Sequence, residues 1–418
     1  MPVAAADPRR DVALLFTTRA VRLFAYGFLS VVLVLYLAEI GIPDAEIGLM
    51  LTLTLAGDTV VSLWMTTSAD RLGRRRMLLL GAGLMVLAGV VFAFTRSFAL
   101  LLGAAIVGVI SPSGNEVGPF LAVEQAALTQ SIPSERRTGL LAWYQLAGAL
   151  ATALGSLAAG TLSSALQRAG ATSLASYQAV LLGYAALGAL LLALFTRLSP
   201  AAEAPAARGG PARPAFLSPG LGLHRSRGVV LRLSGLFAVD AFAGGFVVQS
   251  FVAWWFHRRF GASEALIGGI FFGANVLAGI SALSAAGIAR RIGLVNTMVL
   301  THLPSNVLLV LVPLAPSLPV AVALLLARFS ISQMDVPTRQ SYTLAVVDPD
   351  ERSAAAGVTG ISRTVGSALA PLAAAPLYAS AALASVPFFV AGGLKIVYDL
   401  VLWRAFRSVR PPEERQRG

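Results

Sequence analysis

The chain has 418 residues, of which 56% are hydrophobic and only 12% charged, and it contains no cysteine. Soluble chains carry roughly 25% charged residues, so this composition excludes an ordinary soluble domain, and the lack of cysteine excludes disulfides, thiolate metal sites and a cysteine nucleophile. A net charge of +12 would suggest nucleic acid in a soluble protein, but here the arginines fall between apolar runs, and no nucleic-acid partner is expected.

The N-terminal MPVAAADPRRD has neither an apolar h-region nor a small-residue cleavage site, so the first apolar run reads as a retained helix rather than a signal peptide. Spans of ~20 mostly apolar residues fit twelve times. In the first half they are Leu14–Leu37, Ile47–Thr67, Met77–Thr95, Phe98–Ser131, Thr138–Leu162 and Leu174–Thr196. In the second half they are Val229–Phe256, Ala265–Ala286, Val295–Ala315, Leu318–Val347, Ala354–Ser380 and Val386–Phe406. The fourth and tenth are too long for a perpendicular helix, and each is expected to include a tilted or loop-like end.

Arginine placement sets the orientation. With the N-terminus in the cytoplasm, the inside segments hold Arg9, Arg10, Arg71, Arg74, Arg75, Arg76, Arg136, Arg137, Arg290, Arg291 and Arg352, besides those of the central linker and the C-terminus. The outside loops hold only Arg96, Arg168, Arg258 and Arg259. A multi-pass protein of the cell (inner) membrane with both termini cytoplasmic is expected. Its bundles are 1–196 and 230–418, joined by a cytoplasmic linker, 197–229. Between Arg197 and Gly228 that linker has five prolines and five glycines, with Glu203 as the only acid. Such a composition reads as a flexible tether. Its arginines either obey the positive-inside bias or touch membrane lipid headgroups.

The halves repeat. Pro133-Ser134-Glu135-Arg136 meets Pro349-Asp350-Glu351-Arg352, Gly27-Phe28 meets Gly245-Phe246, and Ile47-Gly48 meets Ile267-Gly268. Six spans per half makes the repeat parallel, with its axis along the membrane normal.

Ionisable residues inside spans are expensive and point to function. Glu116, Phe120 and Glu124 share one face of the fourth span, with Asn115 beside them. Glu116 has no basic residue on its own helix, so it is the first candidate proton carrier, with Asp58 and Asp240 next. Arg19, Arg22 and Tyr26 share a face of the first span, and the repeat aligns Arg22 with Asp240 on the seventh. Those two opposite charges are expected to meet or to hold a zwitterionic ligand between them. On the tenth span Asp335 and Arg339 flank Pro337, which can kink the helix; they read either as an internal salt bridge or as part of a site. Arg363 follows on the eleventh. Lys395, the only lysine, stands one turn before Asp399, and a structural pair between them is expected. Irregular fourth and tenth spans, in matching positions of the two halves, point to a transporter site.

The segment Asp70-Arg71-Leu72-Gly73-Arg74-Arg75-Arg76, placed as a loop after the second span, resembles the signature of the major facilitator superfamily. The resemblance extends over the whole chain through the twelve spans, the repeat and the basic linker. It implies an all-α membrane fold of two pseudo-symmetric six-helix bundles around a cavity, alternating between inward-open and outward-open states. The usual glycine four residues before the Asp is Thr66 here. The antiporter glycine pattern of the fifth span is present only faintly, as Gly148, Gly155 and Gly160.

The expected function is secondary active transport of a small polar or charged organic molecule, by proton-coupled efflux. The alternatives are uptake of an anion, with Arg22, Arg339 and Arg363 as the binding cluster, and a transporter-like receptor without net flux. The binding candidates are Arg22, Tyr26, Asn115, Glu124, Asp335, Arg339 and Arg363. Asp70, Arg71, Gly73, Arg74 and Arg75 form the expected gate, although the arginines read equally as topology signals. Histidines at 224, 257 and 302 lack metal-ligand spacing and no Walker loop occurs, so neither an enzyme nor a cofactor is expected. The family default is a monomer.

Overall fold

The computed structural model describes residues 8–115, 120–130, 134–200, 203, 223–348 and 351–409. Among these, the regular elements are all helical. The first half has α1 (Pro8–Glu39), α2 (Asp44–Leu72), α3 (Arg74–Phe94), α4 (Phe98–Val107), α5 (Phe120–Gln130), α6 (Ser134–Arg168) and α7 (Ser173–Phe195). The second has α8 (Arg227–Gly245), α9 (Gln249–Phe260), α10 (Glu264–Ile292), α11 (Leu294–Leu311), α12 (Leu318–Ser332), α13 (Asp335–Ala345), α14 (Arg352–Ala379) and α15 (Val386–Phe406). Long helices satisfy their backbone groups internally, which a hydrocarbon surrounding demands.

Ten described stretches are long and apolar enough to cross a membrane. They correspond to every predicted span except the fourth and the eleventh. The fourth is broken into α4 and α5, and residues 116–119 at the break lie outside the described residues. The eleventh is the continuous α14, interrupted chemically by Thr359, Ser362, Arg363 and Thr364 rather than by any break.

The helices group into two compact units. One comprises Met1–Pro211 with Val252–Phe272, and the other Ala212–Phe251 with Gly273–Gly418. In the first unit α1 is central, with 83% of its most apolar window buried against 39% for α2. It lies against α6 at glycines on both helices: a Cβ on Gly27 would sit 2.1 Å from the Thr152 carbonyl oxygen, and one on Gly155 2.0 Å from that of Phe24. In the second unit α8 and α14 repeat this pairing, and a Cβ on Gly366 would sit 2.3 Å from the Ala238 oxygen. First span on fifth and seventh on eleventh is the same contact twice, as a duplicated chain requires.

The breaks refine the expected spans. The tenth stops at Ser332 and restarts at Asp335. Pro337 is the third residue of α13, in the first turn, where its missing N–H has no intrahelical partner to lose. The kink therefore falls before the proline. The seventh span, expected to be continuous, is interrupted between Gly245 and Gln249. The segment around Asp70, expected as a loop, is almost all helix: α2 runs to Leu72, and Gly73 alone separates it from α3. At φ +101 and ψ 128 that residue suits glycine.

Candidate functional site

Each unit carries its own buried charge centre. In the first unit the centre is Glu124 on α5, fully buried. Its Oε1 accepts from Arg22 Nη1 at 2.8 Å and from the Thr18 hydroxyl at 2.9 Å. Its Oε2 accepts from Arg22 Nη2 at 2.8 Å and from the Tyr144 hydroxyl. The guanidinium thus binds the carboxylate by two parallel bonds, a strong and directional form of ion pair. Four donors nearly saturate the carboxylate, which is what an ion pair needs to survive burial. Phe120, one turn before Glu124, places its ring 4.6 Å from the Arg22 guanidinium carbon. Arg19, one turn earlier on α1, donates to Gln145 at 2.6 Å and lies over the Tyr144 ring. Gly148 leaves it room, since a Cβ there would meet Arg19 Nε at 2.8 Å.

The centre of the second unit is Asp240 on α8. Its Oδ1 accepts from Lys395 Nζ on α15 at 2.5 Å. Its Oδ2 accepts from Arg363 Nη1 on α14 at 2.9 Å and from Arg339 Nη1 on α13 at 3.3 Å. Arg339 also holds Asp335 at 2.6 Å, one turn away on its own helix. His302 Nε2 on α11 stands 3.9 Å from Asp240 Oδ1, and its Nδ1 lies 2.9 Å from Asp399. Asn306 donates to Asp399 at 2.9 Å. One buried carboxylate therefore ties together four helices, with a second layer through His302.

The predicted residues sort accordingly. Arg22 and Glu124 are brought together, as are Asp240, Asp335, Arg339 and Arg363. Arg22 and Asp240, expected to face each other, each find a partner within their own unit. Lys395 does not pair with Asp399, as expected from their spacing, but with Asp240. Tyr26 is buried on α1, one turn from Arg22. Asp58 is half-buried on α2 and accepts from Ser62 at 3.3 Å. Asn115 is exposed in the turn after α4, and Glu116 lies outside the described residues.

At the signature segment, Asp70 and Arg71 form the last turn of α2, and their side chains lie outside the described part. Arg74 is buried. The backbone amides of Arg74 and Arg75 donate to Glu203 at 2.6 and 3.2 Å, and Arg75 Nη2 donates to the Thr196 carbonyl. The linker's single acid thus caps the N-terminus of α3, where a helix favours negative charge. Glu351, beyond the spans of the second unit, does the same ahead of α8. It accepts from the backbone amides of His224, Arg225 and Ser226, the last two at 3.0 and 2.8 Å. The Ser226 hydroxyl first, then these amides, hold its carboxyl at about 2, below the ordinary 4.5.

Thr18, Tyr144, His302, Asn306 and Glu351 went unrecognised in the sequence. Thr18 is one turn from Arg22, a usable signal, and Glu203 was conspicuous as the lone acid of its segment. Tyr144, His302 and Asn306 sit far along the chain from the groups they meet, and nothing local marks them.

The Major Facilitator Superfamily model matches residues 15–371. The chain is 32% identical over 427 residues to an uncharacterized membrane protein of Saccharomyces cerevisiae, YJR124C, covering 96% of this chain and 95% of that one. Among solved structures it is similar to the nucleoside transporter NupG, with TM-score 0.73 at 14% identity over 95% of this chain and 99% of that one. It is also similar to a D-xylose-proton symporter, with TM-score 0.72 at 16% identity over 94% and 97%. A third is the human organic anion transporter MFSD10, with TM-score 0.61 at 20% identity over 95% and 100%. At these identities the structural likeness establishes the fold alone.

Proposed function

The chain belongs to the Major Facilitator Superfamily, and from that premise we propose a secondary active transporter of a small charged organic molecule, coupled to protons through Asp240. The observation that carries this reading is the single buried carboxylate shared by Lys395, Arg363 and Arg339 from three other helices. A proton on Asp240 removes the charge that holds these cations. Contacts made in one protonation state and not in the other bias a two-state equilibrium, and only such differential contacts can do so. Arg22–Glu124 serves as a clamp holding α1 to α5. Glu116 and Asp58 are the further proton-carrying candidates, and the turn at Gly73, with Asp70, Arg71, Arg74 and Arg75, is the gate.

A second reading, uptake of an anion together with protons, is favoured over efflux by the charge balance of the same centre. Protonation of Asp240 frees cations for an anionic ligand, so proton and anion bind together rather than compete. The protein is placed in the cell (inner) membrane with both termini and residues 197–229 cytoplasmic.

The test is transport in proteoliposomes. Asp240→Asn should retain counterflow of a bound ligand and lose accumulation driven by a pH gradient; normal accumulation overturns the role of Asp240. Orientation is tested in this cysteine-free chain by a single cysteine at Ala206, which should react with impermeant reagents only from the cytoplasmic side.

A further inference from the structure

The Asp240 centre holds more cations than carboxylates. Arg339, Arg363 and Lys395 converge on Asp240, and Arg339 also holds Asp335. Asp399, the third aspartate, is met by His302 and Asn306. Arg328 on α12 is a fourth cation. It follows Ala321 and Leu325 and precedes Ser332, all three buried and all on one helical face with it. Asp335 and Asp240 are the charges that act on it. Yet its Nε is buried and has no hydrogen-bond partner among the described residues. Its guanidinium carbon lies 5.0 Å from the centroid of the Phe329 ring.

An arginine inside a membrane span is costly unless it faces a counter-charge or a wet cavity. A buried donor with no acceptor keeps its full desolvation penalty. With His302 neutral, Arg328, Arg339, Arg363 and Lys395 face Asp240, Asp335 and Asp399, which leaves one positive charge over. Of the three cations on Asp240, Arg363 is the accessible one: its side chain is 33% exposed, against 6% for Arg339 and 9% for Lys395.

We infer that this centre binds an organic monocarboxylate, with Arg328 and Arg363 as its binding residues. One carboxylate supplies the single missing negative charge, whereas a phosphate monoester carries about −1.5 to −2. The planar guanidinium fork matches a carboxylate in a way an ammonium does not. The rings of Phe329, under Arg328, and Phe237, 5.5 Å from the Arg339 guanidinium carbon, offer apolar surface to the organic part. This assignment rests on the transporter reading and gives that reading its substrate class.

The test is thermal stabilisation of the purified full chain by benzoate, lactate, succinate and phosphate, with tetraethylammonium and glucose as controls at equal ionic strength. At least one monocarboxylate should raise the melting temperature by about 2 °C or more at saturating concentration. That shift should be lost in Arg328→Gln, reduced in Arg328→Lys, which keeps the charge without the fork, and kept in Arg168→Gln at the exposed end of α6. If Arg328→Gln fails to fold, Arg363→Gln serves in its place and should likewise lose the shift. No shift with either monocarboxylate, a shift with phosphate alone, an equal shift with a control, or a full shift in the glutamine variants overturns the assignment. Counterflow separates the two readings. A monocarboxylate that stabilises but shows no counterflow upholds the binding site and overturns transport; counterflow of glucose or tetraethylammonium without any carboxylate effect does the reverse.

Discussion

Lys395 Nζ lies 2.5 Å from Asp240 Oδ1, joining α15 to α8, although Asp399 stands one turn away on the lysine's own helix. Asp399 is instead occupied by His302 and Asn306. Removing one partner of a buried ion pair strands the other, at about 3–5 kcal/mol. Because Arg339 and Arg363 still hold Asp240, Lys395→Met should cost about 3 kcal/mol, toward the lower end. A double-mutant cycle in mild detergent checks it: strong coupling to Asp240→Asn is expected, and none to Asp399→Asn.

Glu124 accepts from Thr18, Arg22 and Tyr144. Tyr144→Phe removes one donor and should cost ~1 kcal/mol. Glu124→Gln leaves the Arg22 guanidinium buried without its carboxylate and should cost about 3 kcal/mol or more. Denaturant unfolding in detergent should rank the two variants in that order. Equal effects would mean that the ion pair contributes no more than a neutral hydrogen bond.

Gly73 at φ +101 is followed directly by the Glu203 cap of α3. Gly73→Ala should cost at least ~1 kcal/mol, because the backbone there is one that side chains avoid. Glu203→Gln keeps the size of the side chain but loses the charge on the helix N-terminus, worth up to about 1 kcal/mol near a helix end. Both should lower the melting temperature. As gate variants, both should slow turnover while ligand affinity stays within a few-fold.

Glu351 supplies a pH test outside the spans. Its folded carboxyl lies at about 2 against an ordinary 4.5. A depressed carboxylate contributes stability that is fully present above the unfolded value and is lost as pH falls through the folded one. The melting temperature should therefore decline between about pH 4.5 and pH 2. Glu351→Gln should start lower at neutral pH and fall less steeply across that window. Parallel curves for the two proteins would remove Glu351 from the acid response.

Much of the architecture was present in the sequence because it depends on local rules. A run of apolar residues becomes a helix whatever its neighbours, since backbone groups in hydrocarbon have no other way to be satisfied. The Pro-x-Glu-Arg repeat, the Gly73 turn, the irregular fourth and tenth spans and the i, i+4 bond of Asp335 to Arg339 could all be read that way. The carboxylates that matter were found for the same reason: a charge among apolar residues stands out. Their partners did not follow. A lysine side chain on a helix reaches its own next turn and the neighbouring helix about equally well, so spacing favours Asp399 for Lys395 while packing delivers Asp240. Arg22 and Asp240 align in the repeat, yet each is satisfied inside its own unit, because the nearest opposite charge in three dimensions outweighs a symmetry of position. Tyr144, His302 and Asn306 carry no sequence signal at all; they become part of the centres only when helix crossing brings them within hydrogen-bond reach of a buried carboxylate. The sequence by itself determined which segments cross the membrane and which residues pay for being there, and the tertiary structure alone decided who neutralises whom, since Coulomb energy in a low dielectric depends on separations of a few ångströms that only packing sets.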